Sequence, residues 1–191
     1  MIALRALTEA QLREIYQRSM RRDFPESELK PLETILKLWR RGVYEALGGY
    51  EGEQLAAYAM VYRRRQSRMP LLDYLAVEPE KRGKGAGGEM LRLLRSRYAA
   101  SHDAIFIECE LPSAAPDPRE AEGRIQFYRH EGARVTDLCV TLFGVEFCIL
   151  CLPCGEERVP DDGLADELLS LYRGMMTQTL FAQNVHLHQK R

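Results

Sequence analysis

Residues 69–111 constrain the fold of this chain most, because a buried strand, a tight turn, a helix and a second strand follow one another there. The run MPLLDYLAV is almost wholly apolar, which is typical of a strand covered on both faces in the middle of a sheet. A helix is predicted over residues 86–101, and AIFIECEL follows as the second strand. This order predicts a parallel pair of strands joined by a right-handed crossover.

The turn between this strand and this helix, EPEKRGKGAGG, concentrates glycines and cations. Glycine tolerates positive φ angles and leaves the backbone open to a ligand, and the first N–H groups of a helix attract anions. Lys81, Arg82 and Lys84 add positive charge. The turn therefore predicts a binding site for a phosphate or a pyrophosphate. The site would be formed by the amides of Gly83, Lys84, Gly85, Ala86 and Gly87.

Two common phosphate motifs do not fit this spacing. A Walker motif requires Lys and Ser or Thr after its last glycine, whereas Glu89 and Met90 follow Gly88. A Rossmann fingerprint belongs to a first strand–helix turn, whereas this turn lies in the middle of the chain, after strands of antiparallel type.

The rest of the chain alternates between strand and helix patterns. ALRALT predicts a first strand, and Thr8 and Gln11 form a capping box at the start of a helix. A second helix is expected from about Leu29 to Gly42, followed by two strands within residues 43–63. Asp117 is the expected N-cap of a later helix. Two more strands within residues 134–152 and a terminal helix over residues 164–181 complete the prediction.

Composition narrows the class of protein. A chain of 191 residues that is 46% hydrophobic can bury the core of one domain. A formal net charge of -1 argues against a nucleic-acid partner. No apolar run is long enough to cross a bilayer, and MIALRALTEA does not resemble a signal peptide, so we expect a cytoplasmic protein without a membrane partner.

The cysteines and histidines predict no metal site. Five cysteines are an odd number, which fits reduced thiols. Cys148, Cys151 and Cys154 have the spacing of some iron–sulfur ligands, but they lie in a segment with the composition of a buried strand. His186 and His188 would share one face of a strand without a third ligand nearby.

The glycine-rich turn resembles the acyl-CoA signature of the GNAT superfamily of N-acetyltransferases. In that signature an Arg or Gln is followed by two residues, a Gly, one residue and a Gly or Ala, here Arg82, Gly85 and Gly87. QFYRHEGA is similar to the family's tyrosine helix, and together the similarities span residues 2–152. The resemblance implies an α/β (mixed α+β) fold with six to seven mostly antiparallel strands, helices on both faces, a splayed parallel pair formed by the fourth and fifth strands, and here an extra C-terminal helix.

The resemblance also implies a cofactor and its binding residues. Acetyl-CoA would be the co-substrate, with the pantetheine arm on the backbone of Leu75, Ala76 and Val77 and the pyrophosphate on the amides from Arg82 to Gly87. Residues 1–155 would form the GNAT domain and residues 156–191 a helical extension packed on it.

The strand AIFIECEL supplies the candidate base. Alternation places Glu108 and Glu110 on one face of an otherwise hydrophobic strand. An alkyl amine is protonated at neutral pH, so a base must remove a proton before nitrogen attacks a thioester. IEC also resembles the strand of the ribosomal-protein N-terminal acetyltransferases, which implies Glu108 as the base. Glu110 and Asp73 are the alternatives, and pairing of Glu108 with Arg124 or Arg129 is the purely structural interpretation.

By the same resemblance Tyr128 would be the general acid that protonates the departing thiolate, although its spacing from Ala121 and Ile125 also suits packing. The sequence thus predicts transfer of an acetyl group to a primary amine by direct attack in a ternary complex. Acidic residues near the predicted site favour a cationic amine, and a monomer or a homodimer is expected. The alternative is a non-catalytic GNAT-like domain that senses acyl-CoA or binds another protein.

Overall fold

The structure is a computed structural model that describes residues 1–26, 28–155 and 159–189. It divides into two compact units, residues 1–65 with 72–94 and residues 66–71 with 95–191. The predicted domain boundary between residues 155 and 156 falls beside residues 156–158, which lie outside the described residues, and that division stays a prediction.

The first unit is built on strands and the helices that precede and follow them. Its elements are β1 (Ala3–Ala6), α1 (Glu9–Ile15), a π-helical segment (Tyr16–Met20), α2 (Arg21–Asp23), α3 (Leu32–Arg40), β2 (Tyr44–Glu51), β3 (Gln54–Tyr62), β4 (Leu71–Val77), a 3-10 turn (Pro79–Lys81) and α4 (Ala86–Tyr98). The strand order is β1-β2-β3-β4, and β2 pairs antiparallel with both β1 and β3.

The second unit combines antiparallel strands with helices. Its elements are β5 (Ala104–Glu110), α5 (Pro118–His130), β6 (Arg134–Leu142), β7 (Val145–Pro153), α6 (Leu164–Met175), α7 (Gln178–Asn184) and β8 (Val185–Gln189). The strand order is β5-β7-β6-β8, with antiparallel pairing throughout. The described residues contain eight strands, one more than the upper limit of the prediction, because the short segment VHLHQ pairs with β6.

Local sequence signals fix several helix ends as predicted. The side chain of Thr8 caps the N-terminus of α1, and that of Gln11 completes the capping box. Asp117 caps α5 by accepting from the amides of Arg119 and Glu120. The helix predicted from Leu29 begins instead at Leu32, because Pro31 takes the N-cap position in an extended conformation.

The terminal helix was predicted as one element over residues 164–181 and is two. α6 ends at Met175, and Met176 is extended. Thr177 then caps α7 by accepting a hydrogen bond from the amide of Leu180. A new N-cap therefore restarts the helix inside the predicted span.

Close packing of α4 against β2 holds the glycine-rich turn in place. A Cβ atom at Gly49 would lie 2.8 Å from Ile2 and 3.0 Å from the sulfur of Met90. Met90 is fully buried, and the side chain of Glu89 accepts a hydrogen bond from the backbone N–H of Ile2 at 2.6 Å. The first turn of α4 is thus fixed against the start of the chain. Within the described residues, no helix is both long and apolar enough for a membrane span.

Candidate active site

The glycine-rich turn has the backbone shape that the sequence predicted. Gly83 and Gly85 have φ angles of 72° and 83°, a region that other residues adopt only with strain. A Cβ atom built at either glycine meets nothing within 4 Å, so the space beside both glycines is open. The first helical hydrogen bond of α4 runs from the amide of Glu89 to the carbonyl of Gly85, at 3.0 Å. The amides of Ala86, Gly87 and Gly88 precede it at the positive end of the helix dipole.

The cations of the turn are engaged with protein acceptors. Lys81 pairs with Glu51 at 2.5 Å, and Arg82 pairs with Asp23 at 2.8 Å. Arg82 also donates through Nε to the carbonyl of Val77, at the end of β4. Lys84 donates to the carbonyl of Glu80, a neutral acceptor. Binding of an anion would therefore depend on backbone N–H groups and Lys84 more than on Lys81 and Arg82.

A buried carboxylate, Asp23, ties Arg82 to the helices that precede it. Its side chain is 4% exposed, and it accepts from Arg22, Arg82 and the hydroxyl of Tyr58. Burial acts to raise the pKa of Asp23, but the hydrogen bonds from Arg22 and Tyr58 outweigh it and lower that pKa. Asp23 therefore stays charged and holds Arg82 against the end of α2.

Glu108 lies on β5 as predicted, with a partner that the sequence did not reveal. The hydroxyl of Tyr172, on α6, donates a hydrogen bond to Oε1 of Glu108. Tyr172 is buried, whereas Glu108 is partly exposed. Arg124 pairs with Glu110, the other glutamate on this face of the strand. The purely structural interpretation had paired Arg124 with Glu108.

The alternative base, Asp73, is also engaged. Its side chain is 3% exposed, and Oδ1 lies 2.7 Å from the ammonium of Lys30. The hydroxyl of Tyr44 donates to Oδ2 at 2.5 Å. Asp73 is therefore paired with a cation of its own chain inside the first unit.

Tyr128 lies in α5 and is partly exposed. Burial of its hydroxyl raises the pKa of Tyr128, and the proximity of Cys109 acts in the same direction. The phenol therefore keeps its proton at neutral pH and can act as a donor. This protonation state is the one that a general acid needs before the reaction.

The five cysteines are buried free thiols. Burial raises the pKa of Cys109 well above that of an exposed thiol, so it is not a nucleophile at neutral pH. Burial raises the pKa of Cys151 and of Cys154 to about 11. Among the described residues, no group of three or more His, Cys, Asp and Glu side chains could hold a metal ion.

The second unit also contains a cavity of about 710 Å³ beside α5. Its lining includes the apolar residues Ile125 and Val135 and the charged residues Glu122, Arg129 and Arg134. Neither Glu108 nor Tyr128 lines it, so it offers no binding space directly against the predicted catalytic groups.

Comparison with known proteins gives the family. The sequence profile of the Acetyltransferase (GNAT) family matches residues 9–117, which is more than half of the chain. The chain belongs to the GNAT acetyltransferase family. It is therefore an acyltransferase by family, and the matched region of this GNAT protein contains the glycine-rich turn and Glu108. Tyr128 and Tyr172 lie beyond the matched region.

Solved structures share the fold of this GNAT protein at low sequence identity. The ribosomal-protein-S18-alanine N-acetyltransferase from Escherichia coli has a TM-score of 0.62 and 16% identity, over 85% of this chain and 98% of that one. The spermidine N-acetyltransferase from Vibrio cholerae, in complex with CoA and spermine, has a TM-score of 0.62 and 15% identity, over 80% of this chain and 95% of that one. No curated protein sequence matches. The predicted mixed α/β GNAT fold, with a mostly antiparallel sheet, is confirmed.

Two residues that contact predicted site residues of this GNAT protein, one in each unit, were not predicted from the sequence. Asp23 lies at the end of a short helix and belongs to no recognisable sequence motif. Its position beside two arginines is, however, typical of ion pairing. Tyr172 lies on the buried side of α6, and the hydroxyl of a buried tyrosine needs a hydrogen-bond partner. The pairing of Tyr172 with Glu108 could have been suspected, because a buried hydroxyl requires an acceptor and Glu108 is a carboxylate on an otherwise hydrophobic strand.

Proposed function

We propose that this GNAT protein transfers an acetyl group from acetyl-CoA to a primary amine by direct attack in a ternary complex. The observation that carries the proposal is the turn before α4, in which two glycines have positive φ, a Cβ atom at either would meet nothing, and the N-terminus of a helix follows. Such a turn suits the diphosphate of coenzyme A. The similarity in fold to an acetyltransferase solved with CoA supports the same ligand.

Each part of the cofactor has a proposed partner in the first unit. The amides from Gly83 to Gly87 would bind the diphosphate, whereas the amide of Arg82 donates to the carbonyl of Pro79 at 3.3 Å. The backbone of Leu75, Ala76 and Val77, at the end of β4, would hold the pantetheine arm by strand-like hydrogen bonds. Because β4 leads directly into the turn, the arm would run back along β4 and place its thioester beyond Leu75.

Glu108 and Tyr128 would move the protons. Glu108 accepts a proton from the substrate ammonium, directly or through water, and the amine lone pair then attacks the thioester carbonyl. The C–N bond forms, the tetrahedral intermediate collapses, and the C–S bond breaks. Tyr128 donates its proton to the departing thiolate, and the nitrogen then releases its second proton to the tyrosinate, which leaves a neutral amide and restores the phenol. Burial of the thiol of Cys109 supports direct attack, because a covalent cysteine route requires a thiolate.

The acceptor is proposed to be a cationic amine. One neighbour in fold acts on spermidine and another on the alanine of ribosomal protein S18, so both acceptors are amines. The family and the free cysteines favour a cytoplasmic enzyme. A monomer or a homodimer stays a prediction.

Calorimetry and a substitution series test the proposal. We expect CoA and acetyl-CoA to bind with a measurable heat, and an amine panel that includes spermidine to reveal acetyl transfer. Glu108→Gln should lower kcat by about a hundredfold or more while CoA binding is unchanged. Glu110→Gln is the matched control, because it removes a carboxylate that is already paired with a cation. Asp73→Asn tests the alternative base.

The outcomes separate the proposal from its alternatives. If Glu110→Gln or Asp73→Asn abolishes turnover and Glu108→Gln does not, Glu108 is not the base. CoA binding without transfer to any amine would favour the non-catalytic sensor. Absence of CoA binding by the folded protein would contradict both.

A further inference from the structure

Lys30 occupies a site with the chemistry of an alkylammonium receptor. Its Nζ atom lies 2.7 Å from Oδ1 of Asp73 and 5.3 Å from the ring centroid of Tyr74. The second oxygen of Asp73 accepts from the hydroxyl of Tyr44 at 2.5 Å. A carboxylate fixed by a tyrosine hydroxyl, together with an aromatic face, is a suitable receptor for a primary ammonium group.

The side chain of Lys30 can leave this site without unfolding the segment that carries it. The backbone N–H of Lys30 donates to the hydroxyl of Tyr74 at 2.9 Å, and its carbonyl accepts from the hydroxyl of Tyr16 at 3.0 Å. The hydroxyl of Tyr74 in turn donates to the carbonyl of Glu28. These bonds hold the main chain independently of the ammonium. The side chain of Lys30 is 30% exposed, which gives it a path to solvent, whereas that of Asp73 is 3% exposed.

The site lies where an acceptor would be needed. Asp73 is two residues before Leu75 on β4, which is about 7 Å along an extended strand. If the pantetheine arm runs back from the turn along Val77, Ala76 and Leu75, its thioester end approaches Asp73. A second ammonium group could replace that of Lys30 without changing the charge of the site.

We propose that Asp73, Tyr44 and Tyr74 form the binding site for the ammonium group of the acceptor, and that Lys30 closes this site until the acceptor displaces it. The proposal rests on the proposed function, because only an acetyl-CoA-dependent enzyme would have an acceptor here. It identifies the acceptor as a cationic primary amine and Lys30 as an internal competitor. The apparent dissociation constant for an amine is then the intrinsic one divided by the fraction of molecules in which Lys30 leaves the site open.

Binding of n-butylammonium, an analogue of the lysine side chain, tests the site directly. Lys30→Ala removes the competitor, and calorimetry should show n-butylammonium binding about tenfold or more tightly than to the wild type. The neutral analogue n-butanol should show no such gain. Lys30→Ala combined with Asp73→Asn should lose it as well. If Lys30→Ala does not fold, Lys30→Gln is measured in the same way.

Kinetics with acetyl-CoA and n-butylamine test the role in the reaction. Lys30→Ala should lower KM for the amine about tenfold, with the Kd of CoA unchanged. Equal binding of n-butylammonium and n-butanol, or binding that survives Asp73→Asn, would overturn the proposed site. Binding without a change in KM, in a variant that still binds CoA, would overturn its role as the acceptor site. Failure to bind CoA would instead overturn the proposed function, and the acceptor role with it.

Discussion

Removal of the hydroxyl of Tyr172 would test whether the C-terminal part of the chain supports the proposed base. Tyr172 is 1% exposed and donates to Oε1 of Glu108. Tyr172→Phe keeps the ring and its packing and deletes one hydrogen bond to a charged acceptor, a contact that contributes about 1.5–3 kcal/mol. For a chain of this length, that loss lowers the melting temperature by about 3–12 °C.

A matched control separates the contribution of the hydrogen bond to stability from the effect of changing a buried tyrosine to phenylalanine. Tyr62 is also 1% exposed, and within the described residues the structure shows no hydrogen bond from its hydroxyl. Tyr62→Phe should therefore change the melting temperature by much less than Tyr172→Phe. Both variants can be compared by calorimetry and by urea denaturation.

The pH dependence of activity gives a second measurement that a purely structural role would leave unchanged. A hydrogen bond to a carboxylate favours its charged form, so loss of the donor lets Glu108 accept a proton at higher pH. The acidic limb of kcat/KM against pH should therefore move to higher pH in Tyr172→Phe. The reasoning is refuted if Tyr172→Phe is no less stable than Tyr62→Phe and its pH profile superimposes on that of the wild type.

Further predictions concern the proposed acid, the turn and the thiols. Tyr128→Phe should lower kcat about a hundredfold with little change in CoA affinity. An unchanged kcat in steady-state kinetics would contradict the assignment of Tyr128 as the general acid. Gly85→Ala and Gly52→Ala both force a side chain into a left-handed backbone, at about 1–2 kcal/mol each, but calorimetry should show weaker CoA binding only for Gly85→Ala. Because burial raises the pKa of Cys151 to about 11, unfolded thiols ionise first, and the free energy of unfolding should fall as pH rises from about 9 to 11. Urea denaturation should show a shallower fall for Cys151→Ala.

Features encoded in neighbouring residues could be predicted from the sequence. The capping box of Thr8, the N-cap at Asp117 and the glycine conformations before α4 depend on contacts within a few positions, and all three are confirmed. The break at Met176 was also encoded locally, since Thr177 is a good N-cap. It was missed because the apolar pattern of the helix continues on both sides.

Features that depend on distant residues could not be predicted in the same way. Tyr172 and Glu108 are 64 positions apart, and Lys30 and Asp73 are 43 apart. No periodicity or spacing pairs a given donor with a given carboxylate over such distances. The strand β8 was missed for a related reason: its alternation of His and Leu is weak, and it becomes a strand by pairing with β6.

The engagement of Arg82 affects how the turn should be studied by mutagenesis. Its guanidinium is already bound to Asp23 and to the carbonyl of Val77, so it serves as an internal brace for the end of β4. The chemical groups left to meet a diphosphate are largely peptide N–H groups, which every amino acid except proline carries. Alanine at Lys81 or Arg82 would therefore leave most of the ligand binding in place. Changes that act on the main chain, such as proline or ester replacements, would show how much the ligand depends on it.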